Sequence, residues 1–122
     1  MTHILIVDDS PGQVQKMKNI LVPNGYTVSE AETGEEALAM AKESKPDLIL
    51  MDVVMPGISG FQATRKLSKA PETRDIPVII VSSKGEETDK IWGLRQGAKD
   101  YLVKAEVEES VLLETISKAL SS

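Results

Sequence analysis

PDLILMDVVMPGISG, residues 46–60, decides how this chain folds. Leu48-Ile49-Leu50-Met51 is apolar at every position, whereas a strand with one wet face would alternate apolar and polar residues. An unbroken apolar run of this length suits a strand of a parallel sheet covered on both sides. Asp52 closes the run, ahead of Val53, Val54, Met55 and a Pro56-Gly57 loop. Desolvating a carboxylate is costly, so its place at the end of a buried strand needs a compensating group.

Working outward, short apolar runs alternate with stretches of helical period. Ile4–Val7 reads as a strand, followed by Ser10 as N-cap and Pro11 at the first position of a helix running to about Val22. Asn24-Gly25 turns the chain into a strand at Tyr26–Ser29. Thr33 and Glu36 have capping-box spacing, opening a helix with Ala37, Leu38, Met40 and Ala41 that stops before Pro46. A third helix spans about Ser59 to Ser68, and Val78–Val81 behind Pro77 is a fourth strand. Gly85 to Gln96 reads as a helix stopped by Gly97, and Tyr101–Val103 as a fifth strand. Val107, Val111, Leu112, Ile116, Ala119 and Leu120 are expected on one face of a final helix. Repeating strand–helix units imply an α/β fold: a doubly wound parallel sheet with right-handed crossovers and helices on both faces.

The 122 residues suit one domain, expected to span 1–122 with no output domain. A hydrophobic content of 41% supports a core without staples, and the absence of cysteine excludes disulfides and thiolate metal sites. The net charge of −5, with no run of Lys or Arg, argues against nucleic acid as a partner. The apolar N-terminal run is too short for a signal peptide or membrane span, so the expected location is the cytoplasm.

Asp8-Asp9 ends the first strand, Asp52 the third and Ser82-Ser83 the fourth, and Lys104 follows the fifth. In an open parallel sheet these positions share the carboxyl edge, where such folds place their sites. Three carboxylates in one crevice repel unless a cation or proton intervenes, and hard oxygen ligands suit Mg2+. Lys104 adds a charge for an anion and Ser82 a hydroxyl. The crevice suits a metal-assisted phosphoryl group. Taken singly, these residues have plainer explanations: an aspartate capping the first helix, a solvated loop-entry carboxylate, a strand-end hydroxyl, a solvated lysine. Both aspartates together are harder to dismiss, because Ser10 already supplies the cap.

ILIVDDS, DLILMDVVMPGISG, IPVIIVSS and GAKDYLVK resemble the motifs of the CheY-like response-regulator receiver domains. MDVVMPGISGFQATRKL and ETDKIWGLRQGAKDYL carry a narrower likeness to regulators of type IV pilus twitching motility. The resemblance implies a five-stranded sheet in the order 2-1-3-4-5 and a signalling domain rather than a turnover enzyme. It implies that Asp52 accepts a phosphoryl group from a histidine kinase. Asp9, Asp52 and the backbone carbonyl of Val54 would bind Mg2+, and Asp8 would act through a metal-bound water. Lys104 would contact the phosphoryl group or the carboxylate. Ser82 would swing its hydroxyl onto the phosphoryl group and Tyr101 would turn inward behind it. Output would be phosphate drainage, or protein binding through the surface of the fourth helix, fifth strand and final helix, by a monomer.

Competing classes meet obstacles in the same residues. A haloacid-dehalogenase-like phosphatase needs a second aspartate two residues beyond the first, where this chain has Val54. A flavodoxin-like cofactor binder needs a phosphate loop where Asp8-Asp9 would repel phosphate, and no G-x-G-x-x-G occurs. A phosphorelay receiver of another system, such as chemotaxis, stays open. His3, at the far end of the first strand and about 17 Å from Asp8 at ~3.3 Å per residue, is expected to be a surface residue. Trp92 reads as partly packed filler or as a partner contact, the first being favoured. Glu106, Glu108 and Glu109 read as a favourable first turn of the last helix.

One departure from the family pattern stands out. The strand-5 lysine is usually followed by proline across a cis bond, then an apolar residue; here the chain reads Lys104-Ala105-Glu106-Val107. A cis bond before alanine costs about 2.5–4 kcal/mol, so a trans bond in a longer loop is expected, with Lys104 still aimed at the crevice.

Overall fold

The computed structural model describes residues 1–121. Its elements run β1 (His3–Val7), α1 (Pro11–Leu21), β2 (Thr27–Ala31), α2 (Gly34–Ser44), β3 (Leu48–Met51), α3 (Gly60–Lys69), β4 (Val78–Ser82), α4 (Glu87–Arg95), β5 (Asp100–Val103) and α5 (Glu109–Ser121). Short 3-10 turns follow α1 at Val22–Asn24 and β5 at Lys104–Glu106. The strands form one parallel sheet in the order β2-β1-β3-β4-β5, as expected.

Because successive strand residues face opposite sides, each apolar run feeds two cores. Leu5, Val7, Ile49, Met51 and Ile80 pack with Ala37 and Ala41 of α2 and Ala63 and Leu67 of α3. Ile4, Ile6, Leu48, Leu50, Ile79 and Val81 pack with Val14, Met17 and Leu21 of α1 and Leu112 and Ile116 of α5. Every residue of β3 is buried, which is why its sequence lacks alternation. Burying each such Leu or Ile contributes about 1.5–3 kcal/mol. The resulting rigidity fixes where the strand ends point.

The caps follow the sequence. Ser10 Oγ accepts the Gln13 N–H, and Thr33 Oγ1 accepts the Glu36 N–H. Ser59 and Gln62 form a full capping box at α3. Several boundaries differ from expectation. β2 runs on to Ala31 because its parallel register with β1 pairs Ile6 with Glu30 and Val7 with Ala31. α4 begins at Glu87 rather than Gly85, where Asp89 Oδ2 accepts the Glu86 N–H.

The last helix is the larger correction. Val107 precedes α5, and Val111 is 41% exposed, leaving Leu112 and Ile116 as its buried residues. Val111 and Leu112 are adjacent, and neighbours lie about 100° apart around a helix, so one of them faces away. Of the acidic cluster only Glu109 lies in the first helical turn; Glu106 belongs to the 3-10 turn, and the Glu108 carbonyl accepts the Leu112 N–H. Among the described residues there is no cis peptide, so the Lys104–Ala105 bond is trans.

Candidate phosphoacceptor site

Sheet pairing delivers the acidic residues to one edge. The Asp52 N–H donates to the Val7 carbonyl (2.9 Å) and the Asp8 N–H to the Ala31 carbonyl (3.0 Å), so both residues continue the ladder beyond the strand ends. Asp8 and Asp52 are 2% and 5% exposed, whereas Asp9 is solvent-exposed. One carboxylate oxygen from each of Asp8, Asp9 and Asp52 lies within 4.8 Å of the others. Lys104 reaches the same point: its Nζ stands 2.9 Å from Asp8 Oδ2 and 3.3 Å from Asp52 Oδ1. The trans Lys104–Ala105 bond therefore leaves Lys104 in the crevice.

The electrostatics follow from burial. Burial, and then the neighbouring Asp8 charge, hold the Asp52 carboxyl above its ordinary pKa, outweighing Lys104 and the Val53 N–H. Burial pulls the Lys104 ammonium down, but contact with Asp8 and the charges of Asp52 and Asp8 outweigh it and hold its pKa above the usual lysine value. The Lys104–Asp8 contact is an ion pair rather than an aligned hydrogen bond, for Asp8 Oδ2 is buried without a well-angled donor. One ammonium thus faces two buried carboxylates, with a third, Asp9, beside them. A buried oxygen lacking an aligned donor, beside hard oxygen ligands at this spacing, fits a divalent cation.

Ser82 is fully buried, and its Oγ accepts the Lys84 N–H at 3.1 Å. Tyr101, expected to turn inward only on phosphorylation, is already inside. It is 7% exposed, and its hydroxyl donates to the Lys84 carbonyl at 2.7 Å. Burial raises the phenol's pKa. The Val54 side chain is 57% exposed at the mouth of the site.

Sequence reasoning missed Gly60. A methyl group on this buried glycine would collide with the Asp52 carbonyl oxygen, so α3 begins hard against the Asp52–Val53 peptide. The available signal was a glycine at the first position of a helix. His3 is also not the free surface residue expected: it is half-buried, with its ring nitrogens 2.9 Å from Thr27 Oγ1 and 2.8 Å from Ser29 Oγ. Trp92 is half exposed, so it is partly packed, as favoured.

A doubly wound sheet whose carboxyl edge gathers three aspartates and a lysine is the architecture of a receiver domain. A model of the response regulator receiver domain matches residues 4–117, and the chain belongs to that family. It is 54% identical over 121 residues to Protein PilH of Pseudomonas aeruginosa, covering 99% of each chain. It is 46% identical over 102 residues to response regulator PleD of Caulobacter vibrioides, spanning 84% of this chain and 22% of PleD. Among solved structures, a CheY-like receiver domain protein from Methanospirillum hungatei superposes with a TM-score of 0.90 at 30% identity, covering 99% of this chain and 94% of that one. Chemotaxis response regulator CheY4 of Vibrio cholerae superposes at 0.88 and 31% identity, covering 98% of each chain. The family is one of signalling domains, and it implies a histidine kinase as phosphodonor. Among the described residues no helix is long and apolar enough to cross a membrane.

Proposed function

We propose that Asp52 is the phosphoacceptor of a phosphorelay and that residues 1–122 act as one receiver domain. The observation that carries this is the convergence of Asp8, Asp9, Asp52 and Lys104 at the carboxyl edge. A carboxylate oxygen of Asp52 attacks phosphorus, the bond to the donor histidine breaks, and an acyl phosphate forms on Asp52. Little covalent work falls to the protein, so positioning and charge neutralisation supply most of the acceleration. Asp9, Asp52 and the Val54 backbone carbonyl would hold Mg2+, with Asp8 in its outer sphere. When bound, the ion neutralises charge between the carboxylates and the phosphoryl oxygens. Lys104 moves its ammonium onto the phosphoryl oxygens, and Ser82 offers them its hydroxyl.

Similarity to PilH across the whole of both chains supports a place in type IV pilus twitching motility, in the cytoplasm. Output would pass through the α4–β5–α5 face to another protein, or through drainage of phosphate from a shared kinase. The test is incubation with acetyl phosphate and Mg2+, followed by mass spectrometry. An acyl phosphate on Asp52, lost in Asp52→Asn, is expected; labelling that persists in Asp52→Asn would overturn the assignment.

A further inference from the structure

Two glycines lie near the end of α4, and backbone conformation accounts for only one. Gly97, just past the helix, has a φ of +111°, in the left-handed region that favours glycine. Gly93 lies inside α4 and is not among the residues of positive φ, and glycine in a helix interior is disfavoured against alanine. Its justification is space. A methyl group on Gly93 would stand 2.8 Å from Cδ2 and 3.1 Å from Cε2 of Tyr101, and 2.9 Å from Cδ1 of Ile80. The Ile80 methyl is the free end of a flexible side chain and can give way. The tyrosine edge is rigid, so its ring escapes only by turning to another χ1 rotamer.

We infer that Gly93 is a positioning residue: lacking a side chain, it admits the Tyr101 ring beneath α4 and thereby sets the state of the loop that holds Ser82. The connection is continuous. The Tyr101 hydroxyl donates to the Lys84 carbonyl (2.7 Å), and the Lys84 N–H donates to Ser82 Oγ (3.1 Å). With the ring inside, Lys84 is held through both its N–H and its carbonyl, and the Ser82 hydroxyl has a fixed donor. A side chain at 93 ejects the ring and releases the Lys84 carbonyl. This rests on the proposed reading of Ser82 and Tyr101 as the switch, and goes beyond it by naming what sets their resting position.

Gly93→Ala in the full chain tests it. Tetranitromethane nitration, mapped by mass spectrometry, reads Tyr101 against Tyr26, the only other tyrosine. An outward ring populated at about 10% or less in the parent becomes the major conformer, so the Tyr101-to-Tyr26 ratio rises roughly tenfold. Amide exchange at Lys84 rises with it, and acetyl phosphate still labels Asp52. An unchanged nitration ratio overturns the inference, and unchanged Lys84 exchange overturns the connection to Ser82. If Gly93→Ala does not fold, the double variant Gly93→Ala/Tyr101→Ala decides: recovery of folding supports a conflict with the ring, and failure overturns it. Absence of Asp52 labelling in the parent overturns the phosphoacceptor reading, while the nitration ratio still decides the role of Gly93.

Discussion

At Asp52 the folded chain holds a carboxyl whose pKa stands above its ordinary value of 3.8, through burial first and the Asp8 charge second. In the window between the unfolded and folded pKa the native state binds the extra proton, so stability falls as pH rises through it. Without metal, Asp52→Asn should therefore unfold at higher urea than the parent near neutral pH. The difference should fade as pH drops below 3.8, where both states are protonated; a variant less stable at pH 7 would contradict this. Lys104 has the same slope in a higher window: its raised pKa contributes stability present below its unfolded value of 10.5 and lost as pH climbs through the folded value. Two residues beyond Asp52, the exposed Val54 side chain offers no hydrogen bond to a water attacking the acyl phosphate. Val54→Asn should shorten the lifetime of the phosphorylated protein, measured by decay of the labelled species. Stability should move by no more than about 0.5 kcal/mol, as for an exposed position.

Elements meet at the site in two places that the strand pattern does not reveal. The first turn of α3 touches the Asp52–Val53 peptide, where Gly60 N–H donates to the Val53 carbonyl at 2.9 Å. Gly60→Ala must push helix and strand end apart. It should cost about 1–3 kcal/mol in urea unfolding, as overpacking does, and should slow Asp52 labelling because the carboxylate moves with its backbone. Labelling at the parental rate would show that the strand end absorbs the shift elsewhere. The second meeting is the β5–α5 loop, where the 3-10 turn Lys104–Glu106 takes the place of the usual proline corner. The loop still aims Lys104 at Asp8 and Asp52, because Val103 is held in register with Ser82. Lys104→Ala leaves two buried carboxylates without their cation. A loss on the order of 3 kcal/mol is expected, with slower phosphorylation, and added Mg2+ should restore part of the stability. Unchanged phosphorylation would remove Lys104 from the site.

For the molecule as a whole, three carboxylates gathered at one edge keep a negative excess that Lys104 alone does not neutralise and a divalent cation would. Mg2+ at 100 times its dissociation constant should raise the unfolding free energy by about 2.7 kcal/mol. Thermal or urea unfolding with and without the ion measures this, and the gain should shrink in Asp52→Asn. An equal gain in both proteins would place the ion elsewhere. The fold and the edge were legible in the sequence because each depends on residues near in the chain. An unbroken apolar run marks a doubly covered strand, a cap marks a helix start, and a polar residue following such a run must lie at the sheet's carboxyl edge. Asp8, Asp9, Asp52, Ser82 and Lys104 were found in this way. What the sequence left open depends on partners distant in the chain. β2 gained Glu30 and Ala31 from its register with β1, and α5 turned Val111 outward because the core has room for Leu112 and Ile116. The inward Tyr101, its bond to the Lys84 carbonyl and its close approach to Gly93 arise only where β4, α4 and β5 pack together. Local sequence determined which residues reach the edge; tertiary packing decided the rotamers and contacts they hold there, because side-chain positions are set by the space that neighbouring elements leave.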